Sequence, residues 1–193
     1  SKPRLFELRP DFKAVKFMLR LRGKGDDALL RAAAEALAEE GLCVVKAAAF
    51  VPDLAAPAGL LSKRRPDEQD MESIRYGWPI ARAMGGLDIG QLIVVKSSMV
   101  VAVEAIEGTD ATLERGGRLG GEGCVAIKIF KPGQDERVDQ PAIGPGTFRV
   151  MAAHGYRALA YEAGKTLFFD REEALRIADA AGLAVIGLPA EGP

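Results

Sequence analysis

The stretch from Met99 to Asp110 reads M-V-V-A-V-E-A-I-E-G-T-D. Its valine-rich beginning is typical of a buried strand, yet the run ends at two acidic residues followed by Gly108. Carboxylates at the end of a strand are costly to bury unless they face water, a cation or a partner. The stretch therefore predicts a strand that leads directly into a metal or substrate site.

A second acidic segment runs from Lys131 to Pro141, K-P-G-Q-D-E-R-V-D-Q-P, after a strand-like run from Cys124 to Phe130. Two polar loops that follow neighbouring strands can meet at one edge of a sheet. Phosphate chemistry needs oxygen ligands for a divalent cation and positive charge for the phosphoryl oxygens. The oxygens are offered by Glu104, Glu107, Asp110, Asp135 and Asp139, and the positive charge by Lys128, Lys131 and Arg137.

Ordinary structural roles fit the same residues. Glu-Gly-Thr-Asp is a common way to leave a strand and start a helix that Thr109 or Asp110 caps. Pro-Gly-Gln-Asp is an ordinary turn. Each motif alone is explained by structure, whereas the two together, with cations on both sides, also fit a phosphate site.

Composition indicates a folded globular protein. Of the 193 residues, 48% are apolar and 27% are charged, and the length allows one substantial core or two small ones. Because 26 Lys and Arg oppose 27 Asp and Glu, no overall charge favours nucleic acid. Cys43 and Cys124 lie in apolar runs, which predicts buried thiols in a reducing, cytoplasmic compartment. The chain shows no signal peptide, and its start without Met suggests a processed or truncated N-terminus.

The order of apolar patterns predicts an α/β fold, a mixed sheet with flanking helices. A loop from Phe50 to Gly59 is the predicted boundary between two lobes. The individual predictions are a short strand at Leu42 to Val45, a kinked or broken helix at Gly77-Trp78-Pro79, a hairpin of Gln91 to Val95 with Met99 to Ile106, a helix at Thr147 to Ala153 and a last strand at Leu183 to Ile186.

Asp11 to Arg22 form a predicted basic amphipathic helix, which suits either a core helix with a solvated lysine stripe or a helix on a membrane surface. His154 is the only histidine, and its place before Gly155 favours a role at a helix C-terminus. A mechanism built on Ser-His-Asp or Cys-His is therefore not expected.

Three segments together resemble a known family: Leu87 to Gln91 (L-D-I-G-Q), Val100 to Asp110 and Lys131 to Pro145. The chain is similar over most of its length to the UDP-2,3-diacylglucosamine pyrophosphatases of lipid A synthesis, the type unrelated to metallophosphoesterases. The resemblance implies hydrolysis of UDP-2,3-diacylglucosamine to lipid X and UMP with Mg²⁺ or a similar cation, at the cytoplasmic face of the inner membrane. It also implies two lobes: residues 1–59 are the expected remnant and linker of an N-terminal lobe that is mostly missing, and residues 60–193 the C-terminal catalytic domain.

Asp135 matches the aspartate of the family motif K-P-x-Q-D, which implies that it is the catalytic residue. The predicted metal ligands are Asp135, Glu104, Asp110 and Asp139. The predicted substrate-binding residues are Lys128, Lys131, Gln134, Arg137, Thr109 and Gln91.

Acids after a strand beside a glycine-rich loop also suit a nucleotide-binding ligase or transferase. A noncatalytic adaptor, in which the acids only cap helices, is the third possibility. The expected partners are the lipid substrate and, peripherally, the inner-membrane surface, with no nucleic acid.

Overall fold

The computed structural model describes residues 26–193, where helices alternate with short strands. The predicted basic helix at residues 11–22 lies outside the described part. The helices are α1 (Asp26–Glu39), α2 (Glu68–Gly86), α3 (Thr109–Gly120), α4 (Pro145–Ala153) and α5 (Arg171–Ala180). The strands are β1 (Gly59–Leu60), β2 (Leu92–Lys96), β3 (Met99–Val103), β4 (Val125–Lys128), β5 (Ala142–Ile143), β6 (Ala158–Glu162), β7 (Leu167–Phe168) and β8 (Ala184–Leu188).

Six strands form one mixed sheet in the order β1-β8-β6-β4-β2-β3. Strands β4, β6 and β8 are parallel, whereas β2 runs antiparallel to both β3 and β4. Strands β5 and β7 form a separate parallel pair. The predicted α/β class with a mixed sheet and flanking helices is confirmed. None of the helices in residues 26–193 combines the length and apolar character that crossing a bilayer requires.

The predicted hairpin of β2 and β3 is confirmed, and its turn is formed by Ser97 and Ser98. Both residues have positive φ, 47° and 56°, as two-residue turns that match the twist of the strands require. Strand β3 ends at Val103, so the prediction that Glu104 lies inside the strand is wrong. The Glu104 amide still donates to the Leu92 carbonyl at 2.8 Å, which anchors the residue just beyond the strand.

The two acidic loops leave the same edge of the sheet, as the sequence predicts. Leu92 at the start of β2 pairs with Lys128 at the end of β4, and Ile93 pairs with Val103 at the end of β3. The chain therefore leaves β3 and β4 on the same side, separated by β2 alone. This edge carries the candidate site.

The sheet is buried on both faces. Alternate side chains of β2 point to opposite sides, so Val94 joins a core with Leu113 and Phe148, and Ile93 joins a core with Trp78. Helices α3, α4 and α5 supply the first core, and α2 supplies the second. Burial on both faces explains why the strands are continuous apolar runs rather than alternating ones.

Helix α2 continues through Pro79, so of the predicted kink or break the break is wrong, and the kink stays a prediction. Proline removes one hydrogen bond there, but packing holds the helix on both sides of it. Trp78 is 2% exposed, and its indole Nε1 donates to the Ala190 carbonyl at 3.1 Å. Gly77 lies so close to the sheet that a Cβ would be 2.4 Å from Ile127 Cδ1 and 2.7 Å from Val95 Cγ2.

This close approach gives a matched pair of stability predictions. We expect Gly77→Ala to lower the free energy of unfolding by about 1–3 kcal/mol, because the added methyl overpacks a buried interface. Gly86→Ala, in the same helix, meets no atom within 4 Å and should be neutral or stabilise by up to about 1 kcal/mol. Urea unfolding of the two variants measures the difference, and equal effects would contradict the close packing.

Two further predictions for the region before β1 are wrong. Leu42 to Val45 form no strand in the described structure, and Leu42 and Val45 are exposed. Cys43 is exposed rather than buried, whereas Cys124 is buried as predicted. An apolar run needs a neighbouring strand to become part of a sheet, and this segment pairs with none among residues 26–193.

Candidate active site

The N-termini of α3 and α4 face one cleft of about 490 Å³, which we call the helix cleft. Gly108 precedes α3 and Gly144 precedes α4, and neither glycine can cap its helix with a side chain. The prediction that Thr109 or Asp110 caps α3 is wrong, because the helix already begins at Thr109. Uncapped amides and the positive ends of two helix dipoles make the helix cleft suited to an anion.

The Thr109 side chain does not cap the helix; two other side chains hydrogen-bond to its hydroxyl instead. Its hydroxyl donates to Glu104 Oε1 at 2.8 Å and accepts from Lys128 Nζ at 2.6 Å. The second oxygen of Glu104, Oε2, accepts the Gln91 amide at 3.2 Å. The structure thus brings together four residues that the sequence assigned to metal or substrate binding.

Lys128 is 1% exposed, which is rare for a lysine without a charged neighbour. Burial lowers the pKa of its ammonium, and the negative charges of Glu104, Asp110 and Asp139 act in the opposite direction. Three predicted metal ligands are therefore near enough to Lys128 for their charges to act on its ammonium. The negative charges of these carboxylates offset part of the cost of burying the Lys128 ammonium.

Gln134 braces the loop after β4 from within. Gln134 Oε1 accepts the Lys131 amide at 3.1 Å, and its Nε2 donates to Asp139 Oδ2. The Lys131 ammonium instead contacts Asp88 Oδ1 at 2.7 Å, so it pairs with the loop before β2.

Glu162 fixes the beginning of the same loop, a role that the sequence analysis missed. Glu162 is 3% exposed, and its Oε2 accepts the Phe130 amide at 3.0 Å and Arg82 Nη1 at 2.9 Å. An acid at the end of the buried strand β6 was a usable signal, because such a carboxylate needs a partner.

Asp135 lies in a second cleft, which we call the loop cleft, with Arg31, Lys46 and Arg137 among its lining residues. Arg137 Nε and Nη2 donate to Asp135 Oδ1 and Oδ2 at 2.9 and 2.6 Å. These bonds to Arg137 lower the pKa of Asp135 to about 2, so its carboxylate stays ionised. Asp139 is among the described lining residues of neither cleft, but its amide donates to the Asp135 carbonyl at 3.0 Å within the same loop.

The pairing of Asp135 with Arg137 predicts a pH dependence. We expect Arg137→Gln to return the pKa of Asp135 towards 3.8. A lowered pKa stabilises the folded state above 3.8, and this contribution is lost as the pH falls towards 2. The stability deficit of the variant should therefore be largest near neutral pH and shrink in acid. Urea unfolding across pH measures it, with Arg149→Gln, which breaks an exposed pair with Glu173, as the control.

A divalent cation fits the helix cleft in part. Residues 26–193 contain no group of three or more His, Cys, Asp or Glu side chains arranged to hold a metal. Magnesium, however, is commonly held by one or two carboxylates together with substrate phosphates. Asp110 is exposed on the cleft wall and offers its carboxylate oxygens there, whereas Gln91, whose buried Oε1 has no hydrogen-bond partner in the described structure, is not among the lining residues.

The charges of the helix cleft also favour a bound cation. Its lining includes Glu107 and Asp110, and neither lysine nor arginine is among its described lining residues. Glu107 already pairs with Arg115, so a diphosphate would meet one unneutralised carboxylate there, that of Asp110, and a cation beside it would balance this charge. Glu104 and Asp135 are less accessible to a cation, because hydrogen bonds occupy both oxygens of each.

The α4 side of the helix cleft was not predicted from the sequence. Gly144, Pro145, Gly146 and Thr147 form it, with Phe169 beside them. The signal was present in the order Gly144-Pro145, since proline is common as the first residue of a helix.

These features define an α/β domain with a cleft between two helix N-termini and two acidic loops at one sheet edge. The chain belongs to the LpxI family: the LpxI N-terminal domain matches residues 1–54, and the LpxI C-terminal domain matches residues 57–186. It is 38% identical over 205 aligned positions to the UDP-2,3-diacylglucosamine pyrophosphatase LpxI of Caulobacter vibrioides. That match covers 100% of this chain and 73% of the relative.

Proposed function

We propose that this protein hydrolyses the pyrophosphate bond of UDP-2,3-diacylglucosamine to give UMP and lipid X. The observation that carries the proposal is the helix cleft, where two uncapped helix N-termini face one another beside an acidic wall. The activity named for the Caulobacter relative supports it. The reaction contributes to lipid A synthesis.

The chemistry follows from the charges. Water attacks one phosphorus of the diphosphate and gives up a proton, the bridging P–O bond breaks, and the leaving phosphate departs as an oxyanion that is free to take up a proton from solvent. Amides at the starts of α3 and α4 stabilise the negative charge that grows on the phosphoryl oxygens. A bound Mg²⁺ would supply further positive charge, with Asp110 as the carboxylate that the helix cleft offers it; Glu104 and Asp135 would have to release their hydrogen-bond partners before they could bind the same ion.

Asp135 is the proposed catalytic residue, aligning the attacking water or holding the cation. In the structure Arg137 occupies both of its oxygens. We propose that a substrate phosphate attracts the Arg137 guanidinium, because arginine binds phosphate and carboxylate with the same paired geometry. This exchange would free Asp135 when substrate is present.

The acyl chains and the membrane surface are proposed contacts of the apolar side chains at the site edge. Ile106 is fully exposed in the loop that leads to α3, and Phe169 is 44% exposed on the wall of the helix cleft. Exposed apolar side chains beside a polar cleft suit a substrate with both characters. Peripheral association with the cytoplasmic face of the inner membrane follows from this proposal.

A single assay tests the function. With UDP-2,3-diacylglucosamine in detergent and Mg²⁺, we expect release of UMP without any added ATP. Removing divalent cations with EDTA should reduce the rate at least about 100-fold, because a cation contributes several kcal/mol to stabilising the transition state. Restoring Mg²⁺ should restore the rate. UMP release only on addition of ATP would favour a ligase or transferase, and no release with no Mg²⁺ binding would favour an adaptor.

A further inference from the structure

Lys128 lies beneath the start of α3 rather than in the cleft that the helix faces. It is 1% exposed, and it is not among the residues that line the helix cleft, whereas Thr109 is. Its ammonium contacts Thr109 Oγ1 at 2.6 Å. The sequence predicts that Lys128 binds substrate, but in the structure the Thr109 side chain lies between the Lys128 ammonium and the helix cleft.

Glu104 completes the support of the same hydroxyl from a second direction. The Thr109 hydroxyl has one hydrogen, which it gives to Glu104 Oε1 at 2.8 Å, so the contact with Lys128 uses a lone pair. The orientation of the hydroxyl is therefore fixed. Glu104 is itself anchored, because its amide donates to the Leu92 carbonyl at 2.8 Å and its Oε2 accepts the Gln91 amide at 3.2 Å.

We infer that Lys128 and Glu104 are positioning residues that clamp Thr109 and so aim the first amides of α3 at the diphosphate. The inference rests on the proposed function for its effect on catalysis. Thr109 is the first residue of α3, so its position sets the direction of the helix start. A displacement of about 1 Å at such a site can lower the rate about 100-fold.

The chain offers a matched control at the other end of the helix. Lys96 Nζ donates to the Gly120 carbonyl, the last residue of α3, at 2.6 Å. Lys96→Met and Lys128→Met therefore each remove one lysine contact from the same helix. Only Lys128→Met should affect the end that faces the helix cleft.

The experiment measures kcat, KM and amide hydrogen exchange for the full chain and its variants. We expect Lys128→Met to lower kcat about 100-fold with little change in KM. Exchange at the Thr112 amide, which bonds the Gly108 carbonyl in the first turn of α3, should become faster. Lys96→Met should keep kcat and instead accelerate exchange at Gly121, whose amide bonds the Gly117 carbonyl.

Substitutions at Thr109 test the clamp independently, and they keep the test valid if Lys128→Met fails to fold. Thr109→Val keeps the shape and removes the hydroxyl, so it should reproduce both effects of Lys128→Met. Thr109→Ser keeps a hydroxyl at this position, so its kcat should be at least about tenfold higher than that of Thr109→Val. It should also recover the protection of the Thr112 amide from exchange.

Three results would overturn the inference: wild-type kcat in Lys128→Met, wild-type kcat in Thr109→Val, or lost activity in Lys128→Met with unchanged exchange at Thr112. The last result would mean that Lys128 contacts the reacting groups directly. If the wild-type chain released no UMP, the proposed function would fail, while the exchange measurements would still decide whether the clamp exists.

Discussion

Asp135→Asn is expected to bind UDP-2,3-diacylglucosamine but to have a kcat at least about 100-fold below the wild-type value. A loss of this size is usual when a catalytic acid or base is removed. Asparagine has the same shape but cannot carry the negative charge that aligns a water or holds a cation. The substitution leaves Arg137 unpaired, yet that side chain is 47% exposed, so the fold should survive. Calorimetric titration with substrate separates binding from turnover.

Glu136→Gln is the control for this variant. Glu136 is the next residue in the loop and pairs with Lys165 and Lys46, so the change also removes one negative charge and its ion pairs. We expect kcat to stay close to the wild-type value. Wild-type turnover by Asp135→Asn, or an equal loss in both variants, would remove Asp135 from the proposed mechanism.

Gly146→Asp is expected to stabilise the protein and to weaken its activity. Gly146 is the second residue of α4, lines the helix cleft, and has no atom within 4 Å of an added Cβ. An aspartate there interacts favourably with the helix dipole, by about 0.3–1 kcal/mol. The same carboxylate repels the diphosphate, and a repulsion of about 1.4 kcal/mol or more lowers kcat/KM at least about tenfold.

Gly146→Asn is the matched control, since it has the same size and no charge. Its kcat/KM should exceed that of Gly146→Asp at least about threefold, and the gap should narrow in high salt because screening weakens the repulsion. Thermal unfolding and initial rates of UMP release provide the two measurements. Equal kcat/KM in the two variants would show that the phosphates do not approach the start of α4.

Much of the site was readable from the sequence because strand ends impose strong chemical requirements. Apolar runs interrupted by charged residues predicted the hairpin and the acidic loops after β3 and β4. The apolar pattern also predicted the helix that the structure shows as α4. A carboxylate cannot remain in such a run without a partner. The same reasoning applied to Glu162 would have found the anchor of the loop after β4.

The wrong predictions share one cause, which is that local patterns carry no information on neighbours. Pro79 predicts a break, but the packing of Trp78 and Gly77 keeps α2 continuous. Leu42 to Val45 have the composition of a strand, but no strand of the described structure lies beside them. Thr109 has the chemistry of a cap, but Glu104 and Lys128 engage its hydroxyl.

The sequence by itself determined the fold class, the family resemblance and the two acidic loops, because these depend on residue order and type. The tertiary structure alone decided which residues meet. It divided the predicted site into the helix cleft and the loop cleft, buried Lys128 beneath Thr109, and paired Asp135 with Arg137. The physical reason is that burial and hydrogen bonding act between residues distant along the chain, at distances that the folded sheet fixes.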